Sequence, residues 1–358
     1  MTNSRTTYEL ARNQIGAYVQ PLVQGAVALE FEGRDQDGRL IKMTDDHLSG
    51  RTMIVVLMNQ VNVDLLRLFV RQELGDHVSV VAVSAAEDAM SNRQMQKDSG
   101  FRWPILTDST GALFASYGLH KLNDIDWRIV VLTPSRQVRG WIDSPEALQN
   151  TSDTLMEYLK LIDAADESRW NPPHAPVLLV PNVLSRAECA ELIRSYESGG
   201  PFTVRPPRPG EFDGDYKIPV YEHNRQDRVD HIIRDPQTIQ LLDSRLFSRV
   251  VPMIQKAFNF DVNRHEDLHI ARYVGKRGGH EMGHRDNTSA ATAYRKFALS
   301  VNLNDDFEGG EVVFNEYSPK GYRSEPGTAL VFSSSLLHEV KETTQGVRYN
   351  LISHFFNQ

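Results

Sequence analysis

Cysteine is almost missing from this chain: of 358 residues, only Cys189 carries a thiol. An internal disulfide, a cysteine-rich zinc site and an all-cysteine iron–sulfur cluster are thereby excluded. The one thiol sits in Leu184-Ser185-Arg186-Ala187-Glu188-Cys189-Ala190-Glu191-Leu192-Ile193. That spacing predicts an amphipathic helix with Ser185 as N-cap and Glu188 three residues on, which makes Cys189 a buried structural residue. Long apolar runs are lacking too. No stretch approaches a membrane span, and Met1-Thr2-Asn3-Ser4-Arg5 is not followed by the apolar core of a signal peptide, so a cytoplasmic protein without a membrane partner is expected. Positive charge is not in excess: the net charge is −8, which argues against broad nucleic-acid binding. Arginines do gather between Arg205 and Arg249, but Glu211, Asp213, Asp215, Asp227 and Asp230 are mixed among them, as on a solvated surface. Internal repeats and low-complexity tracts are absent.

The length suits two domains. A helical pattern at Thr151–Ile162 runs into a segment with three prolines, Asp163 to Pro176. The expected division is therefore a first domain over 1–163, a linker over 164–176 and a second domain over 177–358. In the first, Met53–Met58 and Val78–Val83 are continuous apolar runs, as expected of strands covered on both faces. Between them, Val63–Glu73 places Leu65, Leu66, Phe69 and Val70 at helical spacing, and Arg128–Leu132 adds a strand. This is α/β layering. The second half opens with helices, Arg186–Ser195 and Gln237–Phe258. Strands follow at Leu268–Val274, Lys296–Asn304, Glu311–Phe314, Ala329–Phe332 and Arg348–Phe356. Short strands with glycine-marked turns predict a β-sandwich or open barrel with helices packed on one face.

The order of segments over about 20–162 resembles a peroxiredoxin-like thioredoxin fold. The resemblance is carried by Asp37-Gly38-Arg39, Ala82-Val83-Ser84, Trp103-Pro104-Ile105-Leu106-Thr107-Asp108, Ala115-Ser116-Tyr117-Gly118 and Arg128-Ile129-Val130-Val131-Leu132-Thr133-Pro134. It implies a reactive cysteine just after the first core strand. This chain has Met58-Asn59-Gln60-Val61-Asn62-Val63-Asp64 there, and peroxide reduction needs a thiolate. The first half is not expected to be a peroxidase. Packing against the second half, self-association into a homo-oligomer and shaping of substrate access are its candidate roles.

The second half carries the chemistry. His284-Arg285-Asp286 is followed by His338 and then Arg348. Two imidazoles and a carboxylate can hold one face of an Fe(II) ion and leave three positions open. A His-x-Asp triplet arises readily by chance, and His265-Glu266-Asp267 is another, read here as solvated surface. The segment His280-Glu281-Met282-Gly283-His284 also matches the H-E-x-x-H pattern of zinc metalloproteases. That motif demands a helix, however, and the glycines at 278, 279 and 283 oppose one. A zinc metalloprotease and a non-catalytic binding protein stand as alternatives.

Residues 177–358 resemble the prolyl-4-hydroxylase-like class of Fe(II)/2-oxoglutarate oxygenases. The matching pieces are Val183–Cys189, Ala271-Arg272-Tyr273-Val274-Gly275, His284-Arg285-Asp286, Val301-Asn302-Leu303-Asn304 and Phe307-Glu308-Gly309-Gly310-Glu311. Gly327–Phe332, His338-Glu339-Val340 and Gly346-Val347-Arg348-Tyr349 complete them. The resemblance implies a double-stranded β-helix (jelly roll) with flanking helices. It also implies iron ligation by His284, Asp286 and His338, with no catalytic residue beyond those ligands. Arg348 would pair with the far carboxylate of 2-oxoglutarate, and Tyr273 and Asn302 would contact the same co-substrate. Fe(II), 2-oxoglutarate and O₂ are the implied cofactors, with ascorbate as an accessory reductant. A filled Asp286 position implies hydroxylation or a related oxidation, such as desaturation, in place of halide transfer. Phe202–His231 and Asn287–Arg295 are the loops expected to meet a small-molecule or peptidyl substrate, with Arg205, Arg208, Arg225 and Arg228 as candidate anion contacts.

Overall fold

The computed structural model describes residues 22–59, 62–72, 74–85, 89–119, 125–144, 148–167, 174–199, 202–204, 228–275 and 280–357. The chain divides into two compact units, Met1–Pro172 with Asn315–Tyr317, and Pro173–Phe314 with Ser318–Gln358. The helix Leu148–Glu167 extends into the segment expected as a linker, and 168–173 lie outside the described residues. Among the described residues, no helix is long and apolar enough to cross a membrane.

The first unit is built on a five-stranded sheet. Its spatial order is Ile105–Thr107, Val78–Ser84, Thr52–Met58, Trp127–Leu132, Val138–Asp143. The first three strands are parallel and the last two antiparallel. Thr52–Met58 and Val78–Ser84 are buried at every residue, so their continuous apolar runs reflect cover on both faces. Ile54, Val56 and Met58 pack on Leu65, Leu66, Phe69, Leu155 and Leu159 of the helices, while Met53, Val55 and Leu57 join Phe31 and Tyr117 on the other face. Asn62 caps the helix Val63–Arg71 by accepting from the Leu65 amide at 2.9 Å. Val70, counted above as apolar at helical spacing, faces outward; Leu68 is buried in its place. The segment after the first core strand holds no cysteine, although residues 60–61 lie outside the described ones.

In the second unit, a large sheet runs in the order Val177–Val180, Ala329–Ser333, Phe297–Asn302, Val347–Phe356, His269–Val274, Arg228–Ile233, Phe202–Val204. Arg264–His265 also pairs with Val347–Phe356, and each of these pairings is antiparallel. A four-stranded antiparallel sheet joins Glu281–His284, His338–Val340, Val312–Phe314 and Ser318–Tyr322. The two sheets meet through Phe314 against Phe332, ring centroids 5.0 Å apart.

Successive side chains of a strand point to opposite faces, and the large sheet uses this to separate apolar from polar. Tyr349, Leu351 and Phe355 join Leu299, Val301, Cys189, Leu192, Leu246, Val250 and Ile254 in one apolar cluster beneath the helices. Cys189 is therefore a core thiol, and its helix Arg186–Glu197 starts in a capping box between Ser185 and Glu188. On the opposite face, Arg348, Asn350 and His354 alternate with that set, and Asn302 and Tyr273 lie on the neighbouring strands.

The single helix expected over Gln237–Phe258 is interrupted. Pro236–Arg245 and Val251–Phe258 are α-helical, but at Leu246–Val250 the Val251 amide donates to the Leu246 carbonyl, five residues back. Pro252 explains the shift, because it lacks an amide hydrogen and its ring crowds the preceding turn.

Gly327 has φ +80°, and a Cβ there would lie 2.0 Å from the Leu184 carbonyl oxygen. Gly327→Ala is expected to cost more than about 2 kcal/mol, since the clash adds to the backbone strain. Gly199→Ala has φ +68° but open space around it. It should cost only about 1 kcal/mol. Urea unfolding of the two variants measures the difference.

Candidate metal centre

Pairing of Glu281–His284 with His338–Val340 creates the centre. His284 and His338 are directly opposite one another in the antiparallel register, so both side chains leave the same face. Their ring centroids are 4.4 Å apart. Asp286, two residues past His284, turns to the same side and is held there by its amide bond to the Ser334 carbonyl at 2.9 Å. His284 Nε2 lies 3.4 Å from Asp286 Oδ1, and His338 Nε2 lies 3.8 Å from Asp286 Oδ2. One donor atom from each of the three falls within 4.8 Å of the others.

Both imidazoles are oriented by their own backbone. His284 Nδ1 is 2.8 Å from the Met282 carbonyl and His338 Nδ1 is 3.0 Å from the Leu336 carbonyl. A neutral imidazole that donates Nδ1–H to a carbonyl keeps its lone pair on Nε2, the nitrogen that faces the centre. Burial and the neighbouring His284 push His338 down to about 4, so its Nε2 stays unprotonated near neutrality. Burial would also lower His284, but Asp286, Glu281 and the Met282 carbonyl outweigh it and raise the group above its ordinary value. Burial opposes the charge on Asp286, yet His354, His338 and His284 hold its carboxyl well below the usual range. Two nitrogens and an anionic oxygen converge, a set suited to a divalent ion. Asp286 and His338 are almost fully buried while His284 is 30% exposed, so His284 marks the open side.

The H-E-x-x-H alternative does not survive this geometry. Glu281–His284 is a strand, in which four residues span roughly 13 Å, too far for His280 and His284 to share an ion. His280 is not part of the converging group. Glu281 is nearby: Oε1 is 3.9 Å from His284 Nε2, and Oε2 accepts from the Tyr273 hydroxyl at 3.5 Å.

The large sheet supplies the floor. Phe332 lies against His338, centroids 4.6 Å apart, and His354 reaches Asp286, which places the polar face of the sheet toward the triad. Arg348 on that face is 1% exposed, and its Nε donates to Asn302 Oδ1 at 2.9 Å. Asn302 Nδ2 in turn donates to the Ser324 carbonyl. Tyr273 stands opposite Arg348 in the sheet, with the guanidinium carbon 5.2 Å from its ring centre. The structure thus gathers Arg348, Tyr273 and Asn302 into one buried group, in which Asn302 orients the arginine. Between them and His354, Ser300 and Asn350 hydrogen-bond each other at 3.0–3.1 Å.

His265-Glu266-Asp267, read above as solvated surface, divides. Asp267 is exposed, but Glu266 is largely buried against Arg295 and His354, and His265 bonds Asp243 at 2.9 Å. Arg295, expected on a substrate loop, is only 5% exposed and belongs to this network. Of the other substrate-loop residues, 205–227 lie outside the described residues, Arg205, Arg208 and Arg225 among them, while Arg228 begins a strand. His354 escaped sequence reasoning. Its signal was the alternation Arg348, Asn350, His354 on the polar face of an otherwise apolar strand.

No protein-family model matches the chain, and no curated protein matches it. Solved structures do, and both groups expected from the sequence are among them, prolyl hydroxylases with other 2-oxoglutarate–Fe(II) oxygenases, and peroxiredoxin-type or thiol-disulfide oxidoreductases. A viral collagen prolyl hydroxylase from Paramecium Bursaria Chlorella virus-1, in complex with 2-oxoglutarate, is 16% identical and covers 54% of this chain and 99% of its own, TM-score 0.37. A prolyl hydroxylase from Trichoplax adhaerens, bound to a hypoxia inducible factor peptide, is 16% identical over 60% of this chain and 94% of its own, TM-score 0.39. A peroxidoxin from Mycobacterium tuberculosis is 18% identical over 39% of this chain and 97% of its own, TM-score 0.34.

A cation held by the three side chains should be lost with any one of them. His338→Ala is expected to weaken Co(II) binding by more than the roughly 100-fold typical of an outer-shell loss. Calorimetric titration of the purified protein measures it, and undiminished binding would reject the centre.

Proposed function

We propose that this protein is an Fe(II)- and 2-oxoglutarate-dependent oxygenase that hydroxylates a small-molecule or peptidyl substrate. The observation that carries the reading is the convergence of His284 Nε2, His338 Nε2 and the Asp286 carboxylate, with a buried guanidinium on the sheet face turned toward them. In this reading the two packed sheets of the second unit form a double-stranded β-helix, the oxygenase domain is 177–358, and the domain over 1–163 is a thioredoxin-like partner that promotes self-association. The bound ion, with 2-oxoglutarate and O₂, supplies the oxidising chemistry, and ascorbate serves as an accessory reductant.

The chain's own residues do the rest. His284, Asp286 and His338 would hold the ion through two nitrogens and one carboxylate oxygen, a set that leaves room for co-substrate and oxygen. Arg348, held by Asn302 and packed on Tyr273, presents a planar fork to the far carboxylate of the 2-oxo acid. Tyr273 adds a hydroxyl to the same end. Burial of these groups excludes water from the co-substrate and strengthens the pairing. The open edge at His284 is where the substrate's C–H bond would be offered, and the protein's task there is orientation.

The test is anaerobic reconstitution with Fe(II) and 2-oxoglutarate, then exposure to air with a panel of amino acids, peptides and small acids. Succinate release coupled to a gain of one oxygen atom is expected. Protein that binds Fe(II) but never 2-oxoglutarate, judged by calorimetry and by the visible charge-transfer band, would overturn the reading. Arg348→Ala should weaken 2-oxoglutarate by about 2 kcal/mol or more, roughly 30-fold, without loss of metal. Arg348→Lys should recover only part, since an ammonium lacks the bidentate fork.

A further inference from the structure

His354 has no place in the scheme so far, yet it is the side chain most intimately joined to Asp286. It is 6% exposed as a residue and lies on the polar face of Val347–Phe356 with Arg348 and Asn350. Its Nε2 is 3.3 Å from Asp286 Oδ2, and its Nδ1 is 3.3 Å from Glu266 Oε2. Glu266 is itself immobilised. Arg295 grips both of its oxygens, Nε at 2.5 Å and Nη2 at 2.6 Å, and the Tyr294 hydroxyl adds a bond at 2.7 Å. The backbone closes the arrangement: the Glu266 amide donates to the His354 carbonyl at 2.9 Å and Ser353 Oγ donates to the Glu266 carbonyl at 2.8 Å. Arg295 Nη1 then reaches the Asp286 carbonyl at 3.3 Å. Close polar approaches thus run from Arg295 to Glu266, His354 and Asp286 and back to Arg295, although His354 Nδ1 lies beside Glu266 without hydrogen-bond geometry.

A carboxylate that binds an ion through one oxygen is free to rotate unless the second oxygen is held, and a ligand held by an outer partner binds more tightly. His354 reaches Oδ2, which leaves Oδ1, beside His284 Nε2, for the ion. We propose that His354 is a positioning residue for the metal centre: its Nε2–H fixes Asp286, and the Glu266 carboxylate gripped by Arg295 walls the other edge of the ring. The proposal rests on the reading of His284, Asp286 and His338 as a metal site. A merely structural role for the ring, tying Val347–Phe356 to the segments around Glu266 and Asp286, makes a different prediction, because it would alter stability and leave the ion indifferent.

Two variants of similar chemistry separate these roles. A glutamine amide at 354 reaches the place of the imidazole Nε2, whereas the shorter asparagine amide reaches only that of Nδ1. His354→Gln therefore keeps a donor to Asp286, and His354→Asn keeps only the contact with Glu266. The full-length protein, stripped of metal, is titrated with Co(II) alone and followed by visible absorption, with circular dichroism as the check on folding. His354→Asn is expected to weaken Co(II) binding about 10- to 100-fold and to shift the ligand-field bands, with His354→Gln close to the unaltered protein on both readouts. Should His354→Asn not fold, Glu266→Gln is the substitute, with a weaker affinity and an altered spectrum expected there too. Equal affinity and identical spectra for a folded His354→Asn and the unaltered protein overturn the role of His354 alone. Failure of the unaltered protein to bind Co(II) overturns the metal centre itself, and this inference with it.

Discussion

The register between Glu281–His284 and His338–Val340 is the constraint on which the second unit's chemistry depends. His284 and His338 are brought face to face across more than fifty residues by backbone pairing alone. Because side chains alternate along a strand, a slip of one residue would send His338 to the opposite face and put Glu339 in its place. What prevents the slip is apolar packing on both sides of the pair. Phe332 and Phe314 lie against the His338 ring, and Val312 and Val340 are partners in the next ladder. The hydrophobic contacts between the two sheets therefore help to hold the two ring nitrogens on one side of the pair.

The large sheet solves a related problem of burial. Arg348, Asn350, Asn302 and His354 are polar groups removed from water, and each must find partners or lose free energy of about 1–3 kcal/mol or more. The opposite face of the same strands, with Leu299, Val301, Leu351 and Phe355 under the helices, supplies the hydrophobic stabilisation that offsets this. Polar contacts are made within the layer: Asn302 to Arg348, Ser300 to Asn350, Arg295 to Glu266. Each such contact also removes rotational freedom from a side chain near the triad. The arrangement that makes burial tolerable is the one that makes the face rigid, so stability and preorganisation have one source here.

Much of this was legible in the sequence, and the reasons differ by residue. Strict alternation at Phe297, Leu299, Val301 and Leu303 fixed which side of that strand was core, and hence that Asn302 faced away from it. The order His284-Arg285-Asp286, His338, Arg348 carried the donor set without any knowledge of the fold. Three things did not show. The π-type turn at Leu246–Val250 is a local response to Pro252 inside a pattern whose apolar spacing is otherwise helical, and periodicity does not register it. Glu281–His284 is not among the expected strands, its glycines arguing only against a helix, yet pairing with His338–Val340 makes it one, a tertiary contact overriding local preference. Glu266 looked solvated because its neighbours are polar. Only the return of Arg295 and His354 from distant segments buries it, and a charge run viewed one-dimensionally cannot reveal its partners.

The first unit shows the same separation of fold from chemistry in reverse. Its sheet has two fully buried strands, a capped helix behind the first of them and apolar clusters on both faces, which is all that a stable α/β layer needs. None of those features depends on a cysteine, and this chain's only cysteine lies in the other unit, in the core beneath a helix. There, burial pushes the Cys189 thiol up to about 11, which keeps it protonated and unreactive near neutrality. The core of a fold answers to area and volume; its chemistry answers to a few groups placed on that core. The first unit's layering is thus complete without a thiol, while the layering of the second brings three distant side chains to a point.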